Sequence, residues 1–148
     1  MASTKPTIHQ GGLSRRLVMD GLLDEATALD AHEKSIKKRQ HFVSYLVNND
    51  ILKGSEIDLS GSQEFGVPLF DLNVMDMESA PVSLVSDKLI HQHHALPLFK
   101  RGSRLYIAVS DPTNLAAVDE FKFHTGINTE AVLVEEEKLE KIIEEALE

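Results

Sequence analysis

The chain has 148 residues, no cysteine, no tryptophan and a formal net charge of −9. Without cysteine it forms no disulfide, cysteine nucleophile or cysteine zinc site, which fits a reducing cytoplasm. The negative charge and the low aromatic content (two Tyr and six Phe) argue against binding to a nucleic-acid polymer. No apolar run approaches the roughly 18 residues of a membrane span, so direct membrane insertion is not expected.

An α+β fold is predicted, with a helical subdomain first. Residues 1–11 are expected to be a disordered tail, and residues 12–66 carry the apolar periodicity of about four helices. Asp24 is a candidate N-cap, because its carboxylate can accept hydrogen bonds from the free backbone N–H groups of a helix start.

The helical subdomain contains an internal repeat at an offset of 29 residues. Gly21 recurs as Asp50, and Asp20 recurs as Asn49. The repeat predicts two helix pairs packed with pseudo-symmetry. Its apolar positions are Leu13, Leu17, Val18, Leu22 and Leu23 in the first copy and Phe42, Leu46, Val47, Ile51 and Leu52 in the second.

Residues 67–82 are predicted to be an extended linker, and residues 83–148 to be a small α/β subdomain of order α-β-β-α-β-α. Pro68 keeps the linker out of a central strand. The predicted elements are a helix at 86–93 capped by Ser86, a hairpin of Ala95–Phe99 and Arg104–Val109 turning at Gly102, a helix from Asp111-Pro112 to Gly126, a strand at Thr129–Val134 and a helix at Glu135–Leu147.

No catalytic residue or cofactor is predicted, because the chain has neither a GxxxxGK[ST] phosphate loop nor a GxSxG nucleophile motif. His91-Gln92-His93-His94 offers His91 and His94 as half of a metal site. No Asp or Glu pattern nearby in the sequence completes it, so no metal is expected. The last 14 residues hold seven Glu and two Lys and predict a solvated helix face.

Two basic groups precede the linker: Arg15-Arg16, and the cluster from Lys34 to Arg39. Solvated helix surface is the favoured interpretation of both. The alternative is a small anionic ligand, since arginine offers phosphate a planar, two-pronged donor.

The repeat, together with three segments of the second half, resembles the MshEN domain found at the N-terminus of type IV pilus and type II secretion ATPases. The resemblance covers the chain from Gly12 onward and is closest to the pilus extension ATPases. It implies that a C-terminal ATPase motor lies outside this chain. The three segments are Leu96-Pro97-Leu98, Leu105 to Pro112 and Phe123 to Gly126.

Many members of this family bind cyclic di-GMP through both copies of a repeat that begins Arg-Leu-Gly. Here Gly12 stands in place of the arginine, and Ser14 and Val43 stand in place of glycines. A later glycine has become Asp50. A valine side chain blocks close approach of backbone to ligand, and an aspartate repels phosphate. Direct cyclic di-GMP sensing is therefore the alternative function, with Arg15, Arg16, Gly21, Leu22 and Leu46 as its candidate residues.

The favoured function is a non-catalytic regulatory and protein-docking module. The resemblance implies a PilZ-type adaptor or the inner-membrane platform of the pilus machine as partner, a cytoplasmic location and a monomeric isolated domain. Tyr45 is expected to be exposed, so that a charged substitution there abolishes partner binding without unfolding the domain. The candidate docking residues are Leu13, Leu17, Leu22, Leu29, Phe42, Tyr45 and Leu46.

Overall fold

A computed structural model describes residues 12–147, and the predicted tail of residues 1–11 lies outside this range. Four helices are followed by the order α-β-β-α-β-α, which confirms the predicted α+β fold. The elements are α1 (Gly12–Met19), α2 (Glu25–Lys37), α3 (Phe42–Asn48), α4 (Gly54–Phe65), α5 (Asp87–His93), β1 (Ala95–Arg101), β2 (Arg104–Val109), α6 (Leu115–Thr125), β3 (Asn128–Leu133) and α7 (Glu136–Ala146).

Local sequence signals explain several helix boundaries. Asp24 accepts a hydrogen bond from the Thr27 N–H at 2.7 Å and begins α2. Ser86 accepts one from the Leu89 N–H at 3.2 Å and begins α5. Gly126 ends α6 in the left-handed conformation, with φ of 72°. All three boundaries were predicted from these residue types.

The start of α6 differs from the prediction. The sequence placed it at Asp111-Pro112, whereas the helix begins at Leu115 with Asn114 as its N-cap. Asp111 instead accepts hydrogen bonds from the N–H and the hydroxyl of Thr113, at 2.8 and 2.6 Å. The carboxylate therefore closes a turn ahead of the helix rather than capping the helix itself.

The turns that end α1 and α3 have equivalent backbone hydrogen bonds, at the offset of the repeat that the sequence predicts. After α1, the Gly21 N–H donates to the Val18 carbonyl at 3.0 Å; after α3, the Asp50 N–H donates to the Val47 carbonyl at 3.1 Å. A second pair matches at the same offset, in which the donors are Leu22 and Ile51 and the acceptors Leu17 and Leu46. The turn after α2 has the same geometry, since Arg39 and Gln40 donate there to the carbonyls of Ile36 and Ser35 at 3.1 and 2.9 Å. The repeat of whole helix pairs therefore stays a prediction.

The three-stranded sheet has the order β1-β2-β3. β1 and β2 form an antiparallel hairpin that turns at Gly102, where φ is 61°. β2 and β3 run parallel and are joined through α6. Beside β3, Phe70 donates its N–H to the Leu133 carbonyl, and the Leu133 N–H donates to the Pro68 carbonyl, at 2.9 and 2.8 Å.

The segment after α4 is extended only at its beginning. Beyond the contact with β3 it forms three single-turn 3-10 helices. Asp71 and Asp76 begin the first two by accepting from the N–H two residues further on. Leu72 is buried against the α/β core, so the segment predicted as a linker packs on the domain. The 3-10 helices are Leu72–Val74, Met77–Ser79 and Val82–Leu84.

Buried side chains form two clusters, one among the four N-terminal helices and one around the sheet. Leu17, Leu46 and Ile57 are fully buried in the first, and Phe121 and Leu133 in the second. Removing such side chains from water is the main stabilising contribution in each half. No helix in the described part of the chain is both long and apolar enough to cross a bilayer.

Candidate functional site

The turns that follow α1 and α3 place Gly21 and Asp50 in equivalent left-handed backbone conformations, with φ of 76° and 57°. Glycine adopts this conformation without steric cost, whereas an L-side chain is disfavoured there. The fold has therefore kept its turn in the second copy although the residue type has changed. Asp50 is exposed and adds a negative charge where the first copy has none.

A glycine at position 50 is expected to stabilise the domain. We expect Asp50→Gly to raise the free energy of unfolding by about 0.5–1 kcal/mol, because it relieves the left-handed strain. The matched variant Gly21→Asp should lower it by a similar amount. Urea unfolding followed by circular dichroism measures both, and a loss of stability in Asp50→Gly would contradict the assigned turn geometry.

Two of the positions at which the family pattern has glycine are closed to a ligand. Ser14 and Val43 are 3% and 1% exposed, so their difference from the family pattern belongs to core packing. Gly12 and Asp50, at the arginine position and at the later glycine position, are exposed, although a Cβ on Gly12 would lie 3.0 Å from the Phe65 ring.

Arg16 is held by α4 rather than presented to solvent. Its guanidinium donates to Asp20 and Glu64, both at 2.9 Å, and to Gln63 at 3.0 Å. The hydrogen bonds to Asp20 and Glu64 raise the pKa of Arg16. Ser60 donates to Asp20 at 2.6 Å, and this bond and the one from Arg16 lower the pKa of the Asp20 carboxyl.

Arg15 is exposed and forms no ion pair with any residue between 12 and 147. In the second basic group, Lys34 pairs with Asp30 at 3.1 Å on the same helix. The Lys38 ammonium lies 5.5 Å from the centre of the Tyr45 ring. The second group therefore lies on solvated helix surface.

Four of the seven apolar residues predicted to dock a partner lie in the helical core: Leu13, Leu17, Tyr45 and Leu46. The expectation that Tyr45 is exposed is wrong, since only 5% of it is accessible. It belongs to the buried side of α3, and Lys38 lies over its ring. Leu22, Leu29 and Phe42 are half-buried and remain accessible to a partner.

An apolar surface on α2 and α3 was only partly anticipated. Leu29 and Ile36 are seven residues apart and share one face of α2. Ile36 is 64% exposed. Between them, the His32 ring meets the Phe42 ring edge-on at 5.9 Å. We call Leu29, Ile36 and Phe42 the α2–α3 surface; the exposed Lys34, Lys37 and Arg39 lie beside it in the sequence.

The two halves of the molecule meet at Glu136, the first residue of α7, which is 1% exposed. Its carboxylate accepts hydrogen bonds from Ser44 of α3 at 3.0 Å and from Ser110 after β2 at 2.6 Å. His94 Nε2 lies 2.8 and 2.9 Å from its two oxygens. The expectation of a fully solvated Glu-rich helix is therefore wrong at this residue.

Only one member of the predicted histidine half-site joins this network. His91 is exposed, whereas His94 meets Glu136 and, at 3.8 Å, Glu140. Burial opposes protonation of His94, but the hydrogen bond to Glu136 and the charges of both glutamates outweigh it and raise the pKa. His41 stacks on His94 at 5.6 Å, and burial and the nearby His94 charge lower its pKa.

The side chains of His94, Glu136 and Glu140 offer ligand atoms within 4.8 Å of one another. Folding thus supplies the carboxylates that the sequence around the histidines lacks. Glu136 already accepts hydrogen bonds from two serines, and His94 lies against both of its oxygens. We interpret the cluster as a structural ion-pair network that joins the two halves.

Comparison with solved structures shows a shared fold. A structure of MshE with cdg matches with a TM-score of 0.64 at 22% identity, covering 91% of this chain and 98% of that chain. A structure of the N-terminal domain of XpsE matches with a TM-score of 0.73 at 17% identity, covering 97% of both chains.

Comparison with curated proteins finds type IV pilus assembly ATPases named PilB. Identity is 39% over 142 residues to that of Pseudomonas aeruginosa, 37% over 134 residues to that of Acinetobacter baylyi and 31% over 134 residues to that of Myxococcus xanthus. The alignments cover 96%, 90% and 90% of this chain but only 25%, 23% and 24% of the relatives. The chain therefore spans about a quarter of their length.

The family model of the MshEN domain matches residues 65–148. The match begins at the last residue of α4 and covers the α/β half. The resemblance in the sequence depended mainly on the helical repeat that precedes this region. It covers more than half of the 148 residues. The chain therefore belongs to the MshEN domain family and is homologous to a segment of the type IV pilus assembly ATPases.

Proposed function

We propose that this domain is a non-catalytic regulatory and docking module of a type IV pilus assembly ATPase, and that it binds a PilZ-type adaptor or the inner-membrane platform. The observation that carries the proposal is a pair of turns with equivalent backbone geometry, in sequence copies whose residues at the family's arginine and glycine positions have changed. Equivalent turn hydrogen bonds persist at the offset of 29 residues. Within that frame Val43 is buried in the core, and Asp50 occupies a glycine conformation.

The electrostatics of the helical half disfavour a dianionic nucleotide. Two acceptors of Arg16, Asp20 and Glu64, are carboxylates, so most of its charge is already neutralised. Three of the five N–H donors of Arg16 are already used by Asp20, Glu64 and Gln63, so it has less to offer a phosphate than a free arginine. Asp50 adds repulsion in the second copy.

The α2–α3 surface is the docking site that we propose for the partner. Ile36 and the half-buried Leu29 and Phe42 offer apolar area, and exposed apolar side chains of this kind supply most of the affinity at protein interfaces. The neighbouring lysines and Arg39 favour a partner with an acidic rim, because complementary charge speeds association and selects the partner.

Direct cyclic di-GMP sensing is the second candidate. The observation in its favour is the shared fold with MshE, whose structure is described as being with cdg. Arg15 is exposed, and Gly21 keeps its left-handed turn with open space around its Cα. The first copy of the repeat therefore retains more of what a nucleotide would need than the second.

Calorimetry of the purified domain separates the two functions. We expect binding to a PilZ-type adaptor or to the cytoplasmic part of the platform, and no heat from cyclic di-GMP at tenfold excess. Micromolar nucleotide affinity that falls in Arg15→Ala would favour the sensor function instead and would contradict our ranking.

The docking surface is tested with two charge substitutions on exposed leucine-sized residues. We expect Ile36→Glu to weaken adaptor binding at least tenfold, about 1.4 kcal/mol, because it places a charge within the apolar contact. The matched control is Leu115→Glu on α6, which is 67% exposed and lies outside the helical half. Equal effects of the two variants would place the interface elsewhere.

A further inference from the structure

A cleft of about 550 Å³ lies between α4, the extended segment that follows it and the start of α7. Its lining includes Asp58 and Leu59 of α4, Leu69 of the extended segment, and Glu135 and Lys138 at the start of α7. We call it the Asp58 cleft. It is separate from the α2–α3 surface and lies beside the Glu136 network, at the start of α7.

Asp58 lies on the face of α4 that packs against the α/β half. Gly54 and Gly61, four residues before it and three after it, share this face. A Cβ on Gly61 would lie 2.8 Å from Pro112, and one on Gly54 would lie 2.9 Å from the Glu136 backbone nitrogen. The two glycines thus allow α4 to pack closely against the α/β half. Asp58 lies between them and places a polar group at this packed junction.

The Asp58 side chain has no partner that explains its burial. The residue is 7% exposed, and its Oδ1 accepts no hydrogen bond from any described residue. Burying a carboxylate without a partner is strongly unfavourable, so such a group either takes up a proton or pairs with a donor. Asp58 is also one of the residues that line the cleft, so a donor held there would lie beside its side chain.

The surrounding charges make the cleft selective for a cation. Burial and the carboxylates of Glu135, Glu137 and Glu136 raise the pKa of Asp58 to about 7, against the opposing effect of Lys138. The Lys138 ammonium lies 3.9 Å from Glu135 Oε2. Asp71 adds a further negative group to the lining. A positively charged group that enters would therefore relieve repulsion between carboxylates.

Apolar side chains flank the acidic position. Leu59 and Leu69 line the cleft and are 57% and 53% exposed. A bare metal ion would prefer several oxygen ligands and would leave these leucines uncovered. A guanidinium or ammonium on an apolar stem, with apolar neighbours, matches both features of the lining.

We infer that the Asp58 cleft receives a Lys or Arg side chain, flanked by apolar residues, from a partner protein segment. The side chain donates a charge-assisted hydrogen bond to Asp58, and its apolar neighbours cover Leu59 and Leu69. This inference rests on the proposed docking function, because it assigns a second contact region to the same kind of partner.

The test is an NMR titration of the ¹⁵N-labelled domain with N-acetyl-Leu-Arg-Leu-amide. The matched peptide carries citrulline, which has the shape of arginine without its charge. We expect saturable shifts of the amides at 55–59, 69–71 and 135–138 with the arginine peptide, and at least fivefold weaker binding of the citrulline peptide. Equal binding of the two peptides, or no shifts at these amides, would overturn the inference.

Substitutions test whether Asp58 is the carboxylate that binds the arginine side chain. Asp58→Asn should abolish the preference for arginine over citrulline, whereas Asp76→Asn, at an exposed 3-10 N-cap outside the cleft, should keep it. Leu69→Ser removes an exposed apolar wall and should weaken both peptides equally. Retention of the arginine preference in Asp58→Asn would overturn the inference.

Affinity for the arginine peptide should also rise with pH. The ionised form of Asp58 increases from about a tenth at pH 6 to about nine-tenths at pH 8, which predicts roughly tenfold tighter binding at the higher pH. The Asp58→Asn variant should show no such rise. A flat profile in the unsubstituted domain would contradict the role of this carboxylate.

Adaptor binding separates this inference from the docking function. At least tenfold weaker adaptor binding by Asp58→Asn supports both the cleft inference and the docking function. Equal affinity of the adaptor for the unsubstituted domain and for Asp58→Asn overturns the cleft inference and leaves the docking function standing. Binding of the arginine peptide without recruitment of adaptor or platform protein overturns the docking function.

Discussion

Replacing Glu136 by alanine is expected to lower the free energy of unfolding by about 3–5 kcal/mol, the cost typical of breaking a buried ion pair. Its carboxylate is the shared acceptor of Ser44 and Ser110 and faces His94, and only 1% of the residue is exposed. The variant leaves two buried hydroxyls without their acceptor and a buried imidazole without its counter-charge. Urea unfolding followed by circular dichroism measures the loss.

Glu140 supplies the matched control. Its carboxylate is also near His94, at 3.8 Å, but its side chain is 49% exposed. Solvent screens such a pair, so Glu140→Ala should change stability by no more than about 0.5 kcal/mol. Similar losses in the two variants would show that the contact with His94 alone, rather than the buried network, stabilises the junction.

The deficit of Glu136→Ala should depend on pH with a definite sign. Because Glu136 and Glu140 raise the pKa of His94, the ion pair contributes fully below the unfolded pKa of about 6.5. Its contribution is lost as the pH rises through the higher folded value. The stability difference between the variant and the unsubstituted domain should therefore be larger at pH 6 than at pH 9.

Features written in short stretches of sequence were predictable. Asp24, Ser86 and Gly126 act within three or four residues of themselves, and each marks the helix boundary that its chemistry favours. Strand β2 follows from its β-branched and aromatic alternation. The repeat is visible in the sequence as apolar positions at one offset, which two copies of one helix pair would bury alike.

Features set by long-range packing were not predictable. Tyr45 and Ile36 are both residues of amphipathic helices, yet one is 5% and the other 64% exposed, because the neighbouring helices decide which face is covered. Glu136 lies in an acidic run that predicts a solvated helix face, and its partner Ser44 is 92 residues away in the sequence. Asp58 likewise gives no local signal of burial.

Gly54 lies at the close contact between the starts of α4 and α7. The Gly54 N–H donates to Glu137 at 3.2 Å, and α4 begins directly against the start of α7. A Cβ at position 54 would overlap Glu137 Oε1 and lie 2.9 Å from the Glu136 backbone nitrogen. A side chain can move aside, but a backbone atom at the start of a packed helix cannot do so without separating the two halves.

We therefore expect Gly54→Ala to lower the free energy of unfolding by about 2–3 kcal/mol, as overpacking does, despite the higher helix propensity of alanine. Gly12→Ala is the matched control, because its Cβ would meet only the Phe65 ring, at 3.0 Å, and a ring can rotate. It should be neutral within about 0.5 kcal/mol.

The same junction holds Asp58 and Glu136, so a variant that separates α4 from α7 should also increase hydrogen exchange at both helix starts. If Gly54→Ala is as harmless as Gly12→Ala, α4 and α7 are not in tight contact. The Asp58 cleft would then lack the rigid walls that a selective cation site requires.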